Sequence, residues 1–481
     1  MTRRSLGGVA QAVAGRLVPA AAAGRPVHAV QIDSRTVHHG DLFVALPGEH
    51  GDGHDFAARA VASGAVGVLV REDRWAGSVA PAVLVRDPGA ALLALAAAHR
   101  ADLPATVVGI TGSTGKTCTK DLTAAVLRGT FDVVASEASF NNEVGLPLTV
   151  LRATGETGAL VCEMGARGPG HIGLLCRVAR PTVGVVTNVG VAHLGLFGSA
   201  EALRNAKAEL PEALPAGGTV VLNADDPVVR GFAARTAATP VLFGTGADVR
   251  AEGLTIRRRS GCAAFELSVP GGDHAPVELA VAGEHMVPNA LAAAAVGWSL
   301  GIPVQEIAER LSAATVSAGR MEVFETSSGI RVVNDAYNAN PVSMTAALRA
   351  ARWMATGGRS IAVLGQMAEL GPIADQEHER IGELLARLGI DALITVGEEA
   401  RLIAVGAERE GVEPERIVRS VDAEAAIAAV RGLAAPGDLV LVKGSRVAGL
   451  ERVAESLRAD LAEAAPPGAV AGGYPPGSEA A

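Results

Sequence analysis

The run VVGITGSTGKT, from Val107 to Thr117, constrains this chain more than any other segment. Its β-branched start reads as a buried strand, its glycines turn the backbone sharply, and helix-forming residues follow from Cys118 onward. A strand–loop–helix turn of this kind presents backbone N–H groups and a helix N-terminus to an anion. Lys116 can then reach the outer phosphates of a nucleotide, and the Thr117 hydroxyl can ligate Mg²⁺. The common pattern GxxxxGK[ST] would require glycine at position 110, where this chain has Ile110. The match is to the shorter form TGxxGKT. Thr111, Gly112, Ser113, Thr114, Gly115, Lys116 and Thr117 are therefore the expected nucleotide contacts.

At 481 residues the chain exceeds one ordinary core, and about three domains are expected. Only 3% of residues are aromatic, while alanine and glycine abound, which indicates a globular α/β protein built on small side chains. The net charge of −9 comes with no basic cluster, which argues against nucleic acid as the main partner. Cys118, Cys162, Cys176 and Cys262 have no CxxC spacing and read as buried thiols of a reducing compartment. No apolar run approaches the length of a membrane span. Arg3-Arg4 before an alanine-rich stretch imitates a signal peptide, but Gln11 and Arg16 interrupt its apolar part. The expectation is a first amphipathic helix in a cytoplasmic, monomeric protein.

Residues 1–104 alternate short apolar strands (Ala29–Ile32, Asp41–Ala45, Val66–Val70, Ala82–Val85) with alanine-rich helices, giving a small α/β domain. Residues 105–316 begin with the phosphate-loop strand and continue through strands at Ala159–Glu163, Val183–Asn188 and Gly218–Asn223. This alternation predicts a parallel sheet covered on both faces, with its site at the strands' carboxyl ends. The stretch 240–282 reads as an antiparallel insertion. Residues 317–465 form a second doubly wound, Rossmann-like unit with strands at Arg331–Asn334, Ser360–Leu364, Ala392–Val396 and Asp438–Val442. Residues 466–481, rich in Pro, Gly and Ala, read as a disordered tail.

Three polar residues fall where a sheet enzyme places metal ligands. Glu163 ends one strand, His193 follows another after a short loop, and Thr117 lies at the crest of the first. Glu163 fits a ligand for a hard cation, or equally a helix N-cap carboxylate. On pattern alone His193 reads as structural, and Lys207 as a solvated, salt-bridging lysine on an ordinary helix. The cluster from Glu49 to Asp55 (EHGDGHD) reads as a polar turn, because its glycines impose no ligand spacing. The segment from Asn334 to Pro341 (NDAYNANP) is a dense polar run at a strand end, which fits either a binding loop or a turn.

Taken together, the ordered motifs resemble the ATP-dependent Mur ligases of peptidoglycan precursor synthesis, over the chain to about residue 460. They run from Asp33-Ser34-Arg35 and LFVALPG at 42–48 through TGSTGKT, SFNNEVGLP at 139–147, EMGA at 163–166 and Ala192-His193-Leu194. Asn289, Gly319-Arg320-Met321-Glu322, DAYNANPVSM at 335–344 and LVKGS at 441–445 complete the set. One departure is Gln366 in LGQMAELG, where the family often has aspartate.

The resemblance implies three domains: an N-terminal domain binding a UDP-linked substrate, a central ATPase domain and a C-terminal Rossmann-like domain. It implies ATP-dependent ligation of D-alanyl-D-alanine to a UDP-MurNAc-tripeptide through an acyl phosphate. DAYNANPVSM stands where the ligase adding the third amino acid has a DYAHTPD-like segment. It further implies two Mg²⁺ ions held by Thr117, Glu163, His193 and Lys207, the last carbamylated by CO₂. Asn289 should contact adenine, and Arg320 and Asp335 phosphate and ribose. Asp33, Ser34, Arg35, Asn141 and Asn142 are implied on the UDP-sugar-peptide side, with Tyr337 and Asn338 near the dipeptide. Rival readings are a third-amino-acid or folylpolyglutamate synthase-like ligase and, outside enzymes, a non-catalytic nucleotide-binding subunit.

Overall fold

The computed structural model of the protein describes residues 4–48, 51–75, 77, 79, 81–137, 139–190, 197 and 199–463. Two compact units result. One comprises the chain up to Arg257, Cys262–Ser317 and Glu369–Pro372; the other comprises Arg258–Gly261, Ala318–Ala368 and the chain from Ile373 onward.

The first unit contains three sheets. Strands β1 (Arg16–Val18), β2 (Val30–Gln31), β3 (Leu42–Val44), β4 (Gly67–Arg71) and β5 (Ala82–Val85) order as β1-β5-β4-β3-β2, with only β1 antiparallel. Strands β6 (Thr106–Thr111), β7 (Val133–Ala135), β8 (Ala159–Glu163), β9 (Val183–Val186), β10 (Thr219–Asn223) and β11 (Thr239–Phe243) order as β11-β10-β9-β6-β8-β7. This second sheet is parallel throughout. Its strands are continuous apolar runs because helices cover both faces; Val107, Val108 and Ile110 are fully buried. The third sheet is an antiparallel meander of β12 (Arg250–Ile256), β13 (Cys262–Ser268) and β14 (His274–Ala282). Here β14 alternates exposed and buried residues and packs one face on the helix Val304–Ala313.

The second unit holds β15 (Glu322–Glu325), β16 (Arg331–Asn334), β17 (Ser360–Leu364), β18 (Ala392–Val396), β19 (Ile417–Ser420) and β20 (Leu439–Lys443). Their order is β15-β16-β20-β17-β18-β19, and all but edge strand β15 run parallel. The carboxyl ends of β16, β20 and β17 therefore lie side by side at one edge of the unit.

Several expectations need correction. The antiparallel segment does not begin at 240: residues 239–243 form β11, a parallel edge strand beside β10, and the meander starts at Arg250. A short apolar run carries no sign of its partner's direction, so periodicity could not separate the two. The N-terminal helix is confined to Leu6–Ala12, capped by Ser5, and Arg16 enters strand β1 instead. The expected tail at 466–481 lies outside the described residues.

Cys118, Cys162 and Cys176 are buried, Cys262 is half-buried, and all four are free thiols. Burial pushes the thiols of Cys162 and Cys176 up to about 12. In the folded protein at pH 8 neither should react with a thiol reagent, and both should become reactive on unfolding. A stopped-flow count of labelled thiols checks this. Rapid modification of either in native protein would contradict the packing.

Candidate active site

The phosphate loop is shaped by side chains distant in sequence. Gly112 (φ 149°) and Gly115 (φ 79°) take backbone conformations that other residues avoid. A Cβ on Gly112 would lie 1.9 Å from Thr187 Oγ1, and one on Gly115 would lie 2.4 Å from Asn289 Oδ1. Asn188, just beyond β9, accepts the Thr114 N–H on Oδ1 at 2.9 Å and donates from Nδ2 to Thr114 Oγ1 at 2.7 Å. Thr187 Oγ1 donates to the Thr114 carbonyl at 2.6 Å, and Thr111 Oγ1 donates to the Met164 carbonyl at 2.8 Å. Ser113 Oγ accepts the Gly190 N–H at 3.0 Å. The helix begins at Lys116, earlier than the expected Cys118, and Lys116 Nζ donates to the Gly112 carbonyl at 2.9 Å.

Glu163 ends β8 with only 1% of its surface exposed. Its Oε2 accepts from Thr117 Oγ1 at 2.8 Å, and its Oε1 accepts from Asn141 Nδ2 at 2.8 Å. The next helix starts at His171 with Gly170 at its N-cap, so Glu163 caps no helix. Its backbone N–H donates to Ser136 Oγ at 3.2 Å, and buried Lys120 donates to the Ser136 carbonyl at 2.8 Å. Lys120 also pairs with Asp121 at 2.8 Å, and Asp121 accepts from the N–H and hydroxyl of Ser317, each at 2.8 Å.

Lys207 overturns the pattern reading. It lies on the helix Ala200–Ala213 and is 1% exposed, so it is no solvated surface lysine. Burial, and secondarily the Lys116 ammonium, depress its amine well below the ordinary lysine range, partly offset by Glu209 and Glu163. Lys116, Asn141, Asn142, Gly165, His171 and Lys207 line one cleft of roughly 270 Å³. His193 lies outside the described residues.

The other expected residues separate into distinct places. Asn289, 7% exposed, faces the loop from behind: its Oδ1 accepts from Thr119 Oγ1 at 3.2 Å. Asn142 uses Oδ1 to cap a helix start, accepting from Val144 and Gly145 N–H. Just after β2, Asp33 accepts three side-chain and backbone hydrogen bonds from Arg35 within 3.0 Å, plus Arg35 Nη2 at 2.6 Å, and these hold its carboxyl at about 2. Ser34 is buried and accepts from the Arg59 guanidinium, which also lies 4.9 Å from the ring of Phe56. Within the cluster at 49–55, Asp52 accepts from His54 Nδ1 at 2.5 Å, and His54 Nε2 accepts the Arg71 N–H at 2.9 Å. Asp52 thus caps the short 3-10 helix Gly53–Phe56, while Glu49 and His50 lie outside the described residues.

The second unit gathers the remainder. Asp335 accepts from the Met321 N–H at 3.1 Å and from Lys443 Nζ at 2.5 Å. Lys443, 1% exposed, also donates to the Asn338 carbonyl at 2.9 Å. The Arg320 guanidinium lies 4.2 Å from the centre of the Tyr337 ring. Asn340 caps the helix Pro341–Met354 through a capping box with Ser343, so part of the polar segment is a helix start. Sequence reasoning missed Thr187, Asn188, Lys120 and Arg59. Thr187 and Asn188 directly follow β9, a strand-end position that could have hinted at them. Lys120 and Arg59 lie on the helices Lys116–Leu127 and Ala57–Ala62 and gave no such signal.

A parallel sheet, a TGxxGKT loop and a carboxylate paired to the loop threonine define a nucleotide-dependent phosphoryl-transfer enzyme. The family models described as Mur ligase family, catalytic domain, Mur ligase middle domain, and Mur ligase, glutamate ligase domain match residues 26–100, 110–297 and 319–446. The UDP-N-acetylmuramoyl-tripeptide--D-alanyl-D-alanine ligase of Mycobacterium tuberculosis is 46% identical over 92% of this chain and 94% of its own length. MurF from Acinetobacter baumannii is 30% identical with a TM-score of 0.83, covering 93% of this chain and 97% of that one. MurF ligase from Thermotoga maritima in complex with ADP is also 30% identical, with a TM-score of 0.79 over 91% and 99% of the two chains. The chain belongs to the Mur ligase family, and its architecture is that family's three-domain α/β arrangement.

Proposed function

We propose that this protein is the ligase that joins D-alanyl-D-alanine to the terminal carboxylate of a UDP-MurNAc-tripeptide, converting ATP to ADP and phosphate. The observation that carries the reading is the convergence of Lys116, Thr117, Glu163 and a buried Lys207 on one strand-end region. The named relatives supply the substrates, and the Thermotoga maritima enzyme's ADP complex supports the nucleotide.

In the reaction, a tripeptide carboxylate oxygen attacks the γ-phosphorus of ATP, and ADP leaves. The dipeptide amine then attacks the acyl carbon of the resulting acyl phosphate, and phosphate leaves as the amide forms. Both steps concentrate negative charge on oxygen, so positioning and electrostatics carry the catalysis. Lys116 and the loop N–H groups of 111–117 hold the phosphates. Asn289 serves the adenine side, and Arg320 and Asp335 serve phosphate and ribose. Asp33, Ser34, Arg35, Asn141 and Asn142 hold the UDP-sugar-peptide, with Tyr337 and Asn338 on the dipeptide side.

Thr117 Oγ1 and Glu163 Oε2, hard oxygen donors 2.8 Å apart at the crest of the sheet, suit Mg²⁺, which takes few protein ligands and completes its shell with water and phosphate. When bound, Mg²⁺ would neutralise phosphoryl oxygens as a Lewis acid. A second ion would be held by His193, which lies outside the described residues, and by Lys207 as a carbamate. A depressed amine such as that of Lys207 can attack CO₂ and release a proton, leaving a carbamate anion. Among the described residues no helix is long and apolar enough to cross a membrane. A monomer in the cytoplasm completes the reading.

The test is ADP release by purified enzyme with UDP-MurNAc-tripeptides ending in lysine or diaminopimelate, with and without D-Ala-D-Ala. Stoichiometric ADP and ligated product should require both substrates, and the preferred tripeptide identifies the third residue. ADP release at the full rate without the tripeptide would overturn the reading.

A further inference from the structure

Two residues at the crest of the second unit have no role in the reading above. Ser445 is 1% exposed, yet its Oγ has no hydrogen-bond partner among the described residues. A buried hydroxyl without a partner is destabilising, and such groups are rare unless something else satisfies them. Next to it, the exposed Arg446 holds its guanidinium 5.5 Å from the centre of the Tyr337 ring, and among the described residues it makes no ion pair. Arg320 approaches the same ring at 4.2 Å.

The segment that carries them is fixed. The Ser445 N–H donates to the Gln366 carbonyl at 2.9 Å, and the Gly365 N–H donates to the Lys443 carbonyl at 2.9 Å. This ties the ends of β20 and β17 together. Lys443 ties the same segment to Asp335 and Asn338 beyond β16. The Lys443 charge is matched by Asp335, whereas Arg446 makes no ion pair among the described residues and faces a neutral aromatic ring. A ring face attracts a cation but does not cancel it. An orphan hydroxyl donor and, at the next position in the chain, an arginine fork without an ion pair have the chemistry of a carboxylate receptor.

We propose that Ser445 and Arg446 bind the terminal carboxylate of the incoming dipeptide. This rests on the ligase reading and extends it. D-Ala-D-Ala has one carboxylate, at the end opposite its nucleophilic amine. Gripping that end orients the amine without blocking it. It also makes the length between amine and carboxylate a criterion of choice. A single amino acid held by the same receptor would present its amine one residue short.

The experiment compares D-Ala-D-Ala with its C-terminal amide as acceptors for wild type, Arg446→Ala, Arg446→Lys and Ser445→Ala. Loss of a charge-assisted contact should raise the KM for D-Ala-D-Ala by about tenfold to a hundredfold in Arg446→Ala. The KM values for ATP and the tripeptide should stay unchanged. Wild type should prefer the carboxylate over the amide. Arg446→Ala should lose most of that preference, and Arg446→Lys should regain part of it. Ser445→Ala should also raise the dipeptide KM without lowering Tm, since it removes a group with no partner. Arg446→Ala with wild-type KM and preference would overturn this assignment alone. A wild type that ligates neither acceptor overturns the ligase reading, and this assignment with it.

Discussion

Lys116→Ala should lose ligase activity by about a hundredfold to a thousandfold, the scale on which removal of a single preorganised charge-stabilising donor acts. Lys116 is the first residue of the loop helix, and its ammonium already lies within the loop, 2.9 Å from the Gly112 carbonyl. The transferred phosphoryl group spreads negative charge over its oxygens as the bond to ADP breaks, and that charge has to be met at once. Alanine cannot do so, while it keeps the helix, being the best helix former. The loop is braced independently by Asn188 and Thr187, so the fold should persist. The measurement is single-turnover ADP formation beside a thermal unfolding curve. An unchanged Tm with wild-type turnover would remove the loop from the reaction.

Lys207→Ala should be comparably inactive but, unlike Lys116→Ala, rescuable. The side chain is buried on a helix, and desolvation, with Lys116 second, pushes its amine well below the ordinary lysine range and so favours the unprotonated form. A neutral amine is the form that captures CO₂, and the product is an anion in place of a cation. Truncation leaves a cavity beside the cleft and removes that anion. Formate or acetate in tens of millimolar should partly restore turnover by occupying it. Lys207→Arg, permanently charged, should stay inactive and respond to neither acid. Activity in carefully CO₂-depleted buffer should fall in wild type and return on adding bicarbonate. A folded Lys207→Ala enzyme that no short acid rescues would remove the carbamate from the mechanism.

The contrast between these two lysines shows how far the sequence could be read. Lys116 was legible because its chemistry is local: strand, glycines, lysine and threonine occupy consecutive positions whose geometry follows from their spacing. Lys207 was not legible from its own pattern, because NAKAE is shared by countless solvated helices and burial is decided by what packs over it; only the family resemblance pointed to it. Glu163 was half legible; its strand end could be read, but the choice between ligand and helix cap depended on where the next helix began. The central strands of both doubly wound sheets were readable as long apolar runs. The edge strands β1, β7, β15 and β19 are short, all but β7 carry a charged residue, and their sheet membership rests on partners elsewhere in the chain. Ser445 stood in the LVKGS motif, but nothing there gave it a role, since an unsatisfied hydroxyl exists only once its surroundings are in place.

The phosphate loop is commonly regarded as a portable cassette, but here it is not one. Thr119 meets Asn289 across 170 residues of chain, and Thr114 meets Asn188 across 74. The space beside each strained glycine is filled by one of these distant elements. An excised peptide spanning the strand, loop and helix would keep every residue of the motif and lose the mould that shapes it. Transplanting this nucleotide site into another sheet would therefore mean carrying along the neighbouring strand end and the rear helix. The unit of inheritance is the whole second sheet with its backing, and the motif is only the part of it that can be seen in a line of text.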